Sequence, residues 1–231
     1  MVLHAKATRE PTARAALETL CRDYWYPLYA FVRRQGNSHH QAEDLTQGFF
    51  IHLLSSDAIA RAQPERGRFR TFLLAALRNF MTSEWRRAHA AKRGGGAEPL
   101  PLPLGGAEER FAAETPDSGL TPEEAFDRNW ALSLIDRELA HLRAEYTGSG
   151  RGHLFEALAP HVWGDATVSQ ATEAARLGMN EHAFTVAVSR LRKRLRERLR
   201  AAVAATVADE ATVSDELRHL LAALRARRTG V

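Results

Sequence analysis

The sequence predicts an all-α protein of two helical domains joined by a linker, and three patterns lead to this fold class. Apolar residues recur every three or four positions along most of the chain, whereas the alternation typical of strands is scarce. A stretch rich in glycine and proline, residues 94–121, separates two such helical regions. From Val168 to Ala202, a short helix, a glycine turn and a longer basic helix are expected in succession.

The composition is that of an ordinary globular protein, with 231 residues, 45% hydrophobic and 26% charged. The net charge is +4, but the basic residues are unevenly placed, which favours a localised anion-binding surface over a general polycation. Cys21 is the single cysteine, and we interpret it as core packing. No apolar run approaches the roughly 18 residues that cross a bilayer, and no signal-peptide core is recognised. We therefore expect a cytoplasmic protein with no membrane insertion.

A first helix is expected from about Pro11, which suits a first helical turn, to Gly36 and Asn37, where the apolar pattern ends. Pro27 lies inside this segment, so the sequence predicts a kink or two consecutive helices. The aromatic residues that flank Pro27 are interpreted as packing.

Ser38 and Gln41 form a capping-box pattern, which opens a second helix that reaches about Leu54. Gly48 in its middle costs roughly 1 kcal/mol relative to alanine. A close approach by another chain or drift at a tolerant position would each explain this glycine. One side of the helix is apolar, and the opposite side carries Glu43, Asp44, Gln47 and Ile51.

Three histidines, His39, His40 and His52, raise the question of a metal site in this region. No cysteine or paired carboxylate joins them at ligand spacing, so we interpret them as solvated histidines. The sequence therefore predicts no metal site and no cofactor.

A third helix is expected to follow Gly67–Phe72 and to reach about Ala91. Glu84 is the single acidic residue among the many basic residues of this segment, and aromatic residues are interleaved with them. This pattern suits a surface that neutralises phosphates while aromatic rings stack on exposed bases. The alternative is that the rings form a core and the arginines are solubilising. We favour that alternative for Phe72 and Phe80 but not for Trp85 or the arginines. The expected inward row is Phe72, Ala75 or Ala76, Phe80 and Met81.

The linker, residues 94–121, has prolines at alternate positions and glycines at its ends, which favours an extended, semi-rigid spacer. Thr121 and Glu124 then form a second capping box, and the helix that it opens is expected to reach about Tyr146. A short helix from Leu154 to Leu158 follows.

Ser169 is expected to cap a short helix, Leu177 and Gly178 to form a turn, and Asn180 to cap a longer helix. These elements make a helix-turn-helix, whose second helix enters the DNA major groove. The alternative is a solvated basic face of an ordinary bundle helix. The inward stripe of the longer helix is expected to be Ala183, Ala187, Leu191, Leu195 and Leu199. The chain then ends in an amphipathic helix, which could dock on its own domain or on a partner.

Three segments, in this order, resemble the extracytoplasmic-function group of the sigma-70-type sigma factors of RNA polymerase. They are Ala42–Gln47 with Phe49 and Phe50, Arg66–Leu73 through Asn79 to Arg87, and Leu177–Asn180 with Arg190–Arg194. The resemblance spans nearly the whole chain. It implies a sigma domain 2-like bundle at residues 10–93, the linker at 94–121, a sigma domain 4-like helix-turn-helix bundle at 122–205 and a C-terminal extension at 206–231.

The resemblance implies a promoter-recognition subunit rather than an enzyme, with core RNA polymerase (its β′ clamp and β subunits) and promoter DNA as partners. An anti-sigma factor is a further partner that the resemblance leaves open. The residues that would contact the β′ clamp are Asp44, Gln47 and Ile51. Those that would open and read the −10 element are Arg68, Arg70, Asn79, Trp85, Arg86 and Arg87. Those that would read the −35 element as duplex are Thr185, Val186, Ser189, Arg190 and Lys193.

The sequence departs from the family pattern at three positions. Gly48 stands where family members often have an acidic residue, Glu173 where the residue is usually apolar, and His182 where a small residue is common. A stand-alone helix-turn-helix regulator is the alternative function, and it would need no polymerase-binding face. A nucleic-acid-processing enzyme would need a carboxylate cluster for metal or a nucleophile–base pair, and neither is recognisable from the spacing of residues.

Overall fold

The structure, a computed structural model, describes residues 11–55, 69–90, 106–114, 119–164, 166–207 and 210–225. Within these ranges, the side chains of residues 11–20, 54, 88–90, 210 and 211 are not described. Arg68 of the predicted DNA-binding set lies outside the described residues, as does most of the predicted linker.

Nine α-helices make up the described part of the chain, which contains no strand, and the all-α prediction is confirmed. They are α1 (Pro11–Arg34), α2 (His39–Ser55), α3 (Phe69–Ala90), α4 (Ala107–Ala113), α5 (Pro122–Gly148), α6 (Gly152–Leu158), α7 (Gln170–Arg176), α8 (Glu181–Ala204) and α9 (Glu210–Arg225). A 3₁₀ turn, Ala159–His161, follows α6. None of the described helices combines the length and the apolar character that a membrane span requires.

The residues group into two compact units. The first unit comprises residues 1–133 and 203–231, and the second comprises residues 134–202. This grouping differs from the predicted boundaries, because the beginning of α5 and the C-terminal helix α9 belong with α1–α3. Buried contacts that join segments far apart in sequence cause the difference.

The core of the first unit is rich in aromatic residues from α1. Tyr24 stacks on Trp130 of α5 with ring centroids 5.8 Å apart, and Trp25 stacks on Phe50 of α2 at the same separation. Because such pairs contribute about 0.5–1.5 kcal/mol beyond the area they bury, the start of α5 is an integral part of this core. Its largest fully buried side chains are Tyr24, Leu28, Tyr29, Phe31, Phe49, Phe50, Leu53, Leu73 and Phe126.

α1 is one helix that runs through Pro27, rather than the two consecutive helices that were one predicted outcome. A proline inside a helix costs about 3 kcal/mol, because it removes a backbone donor and its ring crowds the preceding turn. Tyr26 and Leu28 on either side are buried, so packing on both sides of the proline offsets this cost. Gly36, at φ +89°, follows the helix end in the left-handed conformation that glycine adopts readily.

Part of the predicted linker is helical and packs on α1. Glu108 of α4 accepts hydrogen bonds from Arg33 at Nε (3.1 Å) and Nη2 (2.8 Å). The guanidinium of Arg33 also lies 4.7 Å from the ring centroid of Phe111. These contacts anchor residues 107–113, so this part of the segment is not the extended spacer that the sequence predicted.

The second unit is a helical bundle around one buried cluster. Phe155 and Leu158 of α6 pack in this cluster with Leu142 of α5 and with Phe184 and Leu191 of α8. The predicted stripe of α8 is right for Leu191 and Leu195, but Phe184 and Val188 complete the buried row, and Ala183 and Ala187 lie at its edge.

The predicted helix-turn-helix is present in the second unit, with α7 and α8 as its helices. Ser169 caps α7 by accepting a hydrogen bond from the Thr172 backbone N–H at 3.1 Å. Asn180 caps α8 in the same way through the Ala183 N–H at 2.7 Å. Gly178 forms the turn at φ +64°, a conformation that side chains with Cβ rarely adopt.

Candidate functional site

One side of α2 presents the residues predicted to contact polymerase. Asp44 is exposed, and Gln47 and Ile51 are half-buried beside it. Their spacing of three and four residues aligns them on one helix face, opposite the fully buried Phe49 and Leu53. No hydrogen bond or ion pair joins the Asp44 carboxylate to another described residue. The face is therefore available to a partner.

Gly48 permits α3 to approach α2 closely. A Cβ built on Gly48 would lie 3.2 Å from Cζ of Phe80, which is tighter than ordinary van der Waals contact. The Phe80 ring also packs against Phe49 (centroids 5.9 Å apart) and His52 (5.5 Å). The close approach found here is by Phe80 of the same chain, which differs from both explanations that the sequence left open, an approach by another chain and drift at a tolerant position.

The inward face of α3 is rotated from the predicted one. The buried residues of the described helix are Phe69, Arg70, Leu73, Leu74 and Leu77, whereas Phe72 and Phe80 are half-buried. The predicted row of Phe72, Ala75 or Ala76, Phe80 and Met81 was wrong, because it excluded the face on which an arginine is buried. Phe69, with its ring 5.8 Å from that of Tyr24, is a core residue rather than a stacking surface for bases.

Arg70 was predicted to contact DNA, but its side chain is only 3% exposed. Its Nε donates to Glu216 Oε1 of α9 at 2.5 Å, its Nη2 donates to Glu216 Oε2 at 3.3 Å, and its Nη1 bonds Asp127 of α5. His219 lies 2.8 Å from the second oxygen of Asp127. In this arrangement Arg70 joins three helices of the first unit and is not at the surface.

The other described α3 residues of the predicted −10 set are exposed. Asn79, Arg86 and Arg87 face solvent, and the Trp85 side chain is 63% exposed. Arg87 Nη1 donates to Glu84 Oε1 at 2.6 Å, a one-turn ion pair at the surface. The described part of this surface therefore combines an exposed indole with cationic side chains.

The basic helix α8 has two sides: an internal side, defined by arginines that bond to other segments of the second unit although Arg192 is itself exposed, and an outward side. On the internal side, Arg192 donates to the backbone carbonyl oxygens of Val162 (2.9 Å) and His161 (2.6 Å). Arg194 pairs with Glu145 of α5, and Arg198 Nε donates to Glu138, also of α5, at 2.9 Å. These arginines hold the helix-turn-helix on its own bundle. The sequence did not reveal this role, because their partners lie 30 to 60 residues away.

The carboxylate of Glu138 shows how firmly the internal side of α8 is held. Burial by itself would raise the pKa of Glu138, but hydrogen bonds from Arg137, His141 and Arg198 outweigh burial, and the pKa lies below its usual value. Glu138 is therefore a charged anchor between α5 and α8 at neutral pH.

The outward side of α8 carries the residues predicted to read duplex DNA. Thr185, Ser189, Arg190 and Lys193 are exposed, and Val186 is half-buried. Thr185 Oγ1 donates to Gln170 Oε1 of α7 at 2.8 Å, which fixes the Thr185 hydroxyl. Lys193 lies 3.9 Å from Glu197, whereas no described residue forms an ion pair with Arg190. Arg190 and Lys193 are therefore accessible to a partner.

The histidines of α2 are less uniform than the sequence predicted. His40 is 90% exposed, as expected of a solvated residue, but the Nδ1 atom of His39 lies 2.8 Å from the Tyr29 hydroxyl. Glu43 lies within 4 Å of both histidine rings. A carboxylate does join them, contrary to the expectation, because one helical turn brings Glu43 onto their face.

A comparison with protein families matches residues 20–91 to sigma-70 region 2. The match covers less than a third of the 231 residues, and it supports a sigma-70-type sigma factor of RNA polymerase. Neither a curated protein nor a solved structure matches this chain. The matched segment includes the α2 face and the α3 surface, whereas the helix-turn-helix lies outside it.

Proposed function

We propose that this chain is an RNA polymerase sigma factor of the extracytoplasmic-function type, which directs core RNA polymerase to promoters by recognising −10 and −35 elements and assisting strand opening. The observation that carries the proposal is the match of residues 20–91 to sigma-70 region 2, because this segment bears both the α2 face and the α3 surface. Polymerase supplies the chemistry, so the chain itself is not an enzyme. The proposed site of action is the cytoplasm.

The α2 face is the proposed contact with the β′ clamp of core polymerase. Its support is an exposed carboxylate at Asp44 beside half-buried Gln47 and Ile51. A polar rim next to partly apolar side chains is the usual make-up of a protein–protein contact. Gly48 lies on this helix where an acid is frequent in the family, so the clamp contact depends more strongly on Asp44.

The α3 surface is the proposed contact with the melted −10 element. Exposed Trp85 offers a stacking platform to an unstacked base, and Arg86 and Arg87 offer charge to phosphates. Asn79 lies two turns before Arg86 and adds a side-chain donor and acceptor. Because Arg70 is buried, it is not part of this proposed contact.

The helix-turn-helix is the proposed contact with duplex −35 DNA. The outward side of α8 offers Arg190 and Lys193 to bases and phosphates, while the internal arginines hold the helix in place. Thr185, Val186 and Ser189 form the remainder of the proposed reading face. The second unit therefore contributes upstream contacts that the first does not.

In vitro transcription with core polymerase on a promoter library tests this function directly, and gel filtration with core polymerase tests the first step. Asp44→Ala should reduce co-elution with core polymerase, whereas Glu156→Ala, an exposed carboxylate of the second unit, should not. A stand-alone helix-turn-helix regulator would bind DNA without polymerase. Failure of the unmodified chain to co-elute with core polymerase or to support transcription would refute the proposal in favour of that regulator.

A further inference from the structure

The first turn of α2 brings three metal-ligating groups together. His39 Nε2 lies 3.5 Å from Glu43 Oε2, and His40 Nδ1 lies 3.9 Å from the same oxygen. All three atoms lie within 4.8 Å of one another. Ligands about 2.0–2.2 Å from a tetrahedral zinc ion are separated by about 3.3–3.6 Å. The His39–Glu43 distance already falls in that range, and the exposed His40 side chain can rotate to reach it.

A partly buried hydrogen-bond chain orients His39 for this role. The Tyr29 hydroxyl lies between His39 Nδ1, at 2.8 Å, and Glu108, to which it donates its proton. A hydroxyl has one proton, so the proton between His39 and Tyr29 must come from His39 Nδ1. In the neutral ring, Nε2 then carries the lone pair and faces Glu43. The assignment of this tautomer follows from the hydrogen-bond network.

The Tyr29 hydroxyl therefore links the His39 ring to the Glu108 carboxylate, which Arg33 also binds. Second-shell partners of this kind commonly fix the orientation of metal-binding histidines.

We propose that His39, His40 and Glu43 form a binding site for a divalent transition-metal ion of the zinc class. Two imidazole nitrogens and one carboxylate oxygen suit zinc, nickel or copper, whereas magnesium and calcium prefer oxygen ligands throughout. Three protein ligands leave a coordination position for water. The site reverses the sequence-based prediction of solvated histidines, and it does not depend on the function proposed above.

The competing explanation is an ion pair between protonated His39 and Glu43. A charged N–H donor and a carboxylate form a hydrogen bond at about 2.7–2.9 Å. The observed separation of 3.5 Å exceeds that distance and is close to a ligand–ligand separation around a metal. A separation of 3.5 Å between an imidazole nitrogen and a carboxylate oxygen fits two ligands of one ion.

A bound ion would act on the helix that carries the proposed clamp contact. Glu43 immediately precedes Asp44, so coordination would neutralise one of two adjacent carboxylates. Through Tyr29 and Glu108, the ion would also strengthen the connection between α2, α1 and α4. Zinc should therefore raise the thermal stability of the chain, because a ligand that binds the folded state stabilises it by mass action.

Isothermal titration of the full-length, tag-free and chelator-treated chain with Zn²⁺ at pH 7.5 tests the site. The expected result is one ion per chain with a micromolar or tighter Kd and a rise in Tm that Mg²⁺ does not produce. His40→Ala should weaken zinc binding at least tenfold, and it should leave the metal-free Tm unchanged because the side chain is 90% exposed. His182→Ala is a matched control, since His182 is also exposed in the second position of a helix.

Two further measurements distinguish this site from adventitious binding elsewhere. Glu43→Gln, which keeps the shape of the side chain but lowers its strength as a ligand, should also weaken zinc binding. Co²⁺ in place of Zn²⁺ should give the visible absorption of a four-coordinate ion, and His40→Ala should abolish it. Zinc binding of equal affinity in the unmodified chain, His40→Ala and Glu43→Gln would overturn the proposal, as would no binding at micromolar zinc.

Discussion

Arg70 of α3 and Glu216 of α9 form a two-point ion pair across 146 residues of chain, and their side chains are only 3% and 1% exposed. Asp127 of α5 binds the same guanidinium, and His219 lies beside Asp127. A buried charge is tolerated when it is paired and hydrogen-bonded on several sides. The C-terminal helix is therefore part of the first unit, although it is the last described element of the chain.

We expect Glu216→Ala to destabilise the first unit by about 3–5 kcal/mol, because the substitution leaves the Arg70 guanidinium buried with one of its two carboxylate partners missing. Urea denaturation followed by near-ultraviolet circular dichroism measures the free energy of unfolding. Asp215→Ala is the control, because Asp215 forms an exposed ion pair with Arg218 one helical turn away. That control should change stability by less than about 0.5 kcal/mol. Equal effects of the two substitutions would contradict a structural role for the buried pair.

We expect Glu138 to contribute stability that depends on pH. Its pKa is lower in the folded chain than the ordinary value of 4.5, because hydrogen bonds from Arg137, His141 and Arg198 outweigh burial. The unfolded chain therefore binds the proton more readily, and the contribution is present above pH 4.5 and lost as pH falls through the folded-state pKa. The stability difference between the unmodified chain and Glu138→Gln should be present at pH 6 and shrink below pH 4.5. Urea midpoints across this range measure it, and a constant difference would contradict the prediction.

We expect the effect of Gly48→Ala to depend on Phe80. Alanine gains about 1 kcal/mol over glycine within a helix, but its Cβ would crowd the Phe80 ring at 3.2 Å. The gain should therefore be reduced in the unmodified chain and restored in a Phe80→Leu background. A double-mutant cycle on urea unfolding measures this coupling. Additive effects would indicate that the ring moves aside without cost.

The two sides of α8 should respond differently to substitution. Arg190→Ala should leave stability unchanged within about 0.5 kcal/mol and weaken duplex binding, with the slope of log K against log salt reduced by about 0.9. Fluorescence anisotropy with holoenzyme and upstream duplex measures the binding. Arg143→Ala, an exposed arginine paired with Glu156 away from the helix-turn-helix, should leave this slope unchanged.

Arg192→Ala should instead destabilise the second unit by about 0.5–1.5 kcal/mol, because the carbonyl oxygens of His161 and Val162 lose their charged donor. Thermal unfolding measures this loss. If Arg192→Ala reduced DNA binding without reducing stability, the assignment of the two sides would be wrong.

Local features were predictable because their physical causes lie within one or two turns of chain. The capping box at Ser38 has both of its hydrogen bonds, from Ser38 N to Gln41 Oε1 (2.9 Å) and from Gln41 N to Ser38 Oγ (3.3 Å). The capping box at Thr121 is likewise confirmed, with Thr121 N donating to Glu124 at 2.8 Å. The glycine turn at Gly178 follows from conformational freedom alone.

The buried face of α3 was not predictable from its own residues. Arg70 counts as a polar residue when the periodicity of apolar residues is used to find the buried face of a helix. The periodicity therefore excluded the face of α3 that is in fact buried. Its burial depends on Asp127 and Glu216, which lie 57 and 146 residues away. For the same reason, the sequence did not divide the arginines of α8 into internal and outward groups.

The sequence by itself determined the all-α class, most helix ends other than those of α4, the helix-turn-helix and the resemblance to sigma factors, because these depend on short-range hydrogen bonds, periodicity and motif order. The tertiary structure alone decided which charges are structural: Arg70 is held by Glu216, and Arg192 by backbone carbonyl oxygens of another segment. The sequence shows the same arginine whether its side chain binds a partner or stabilises the fold. Whether it binds a partner or stabilises the fold depends on which distant groups the folded chain brings within hydrogen-bonding distance.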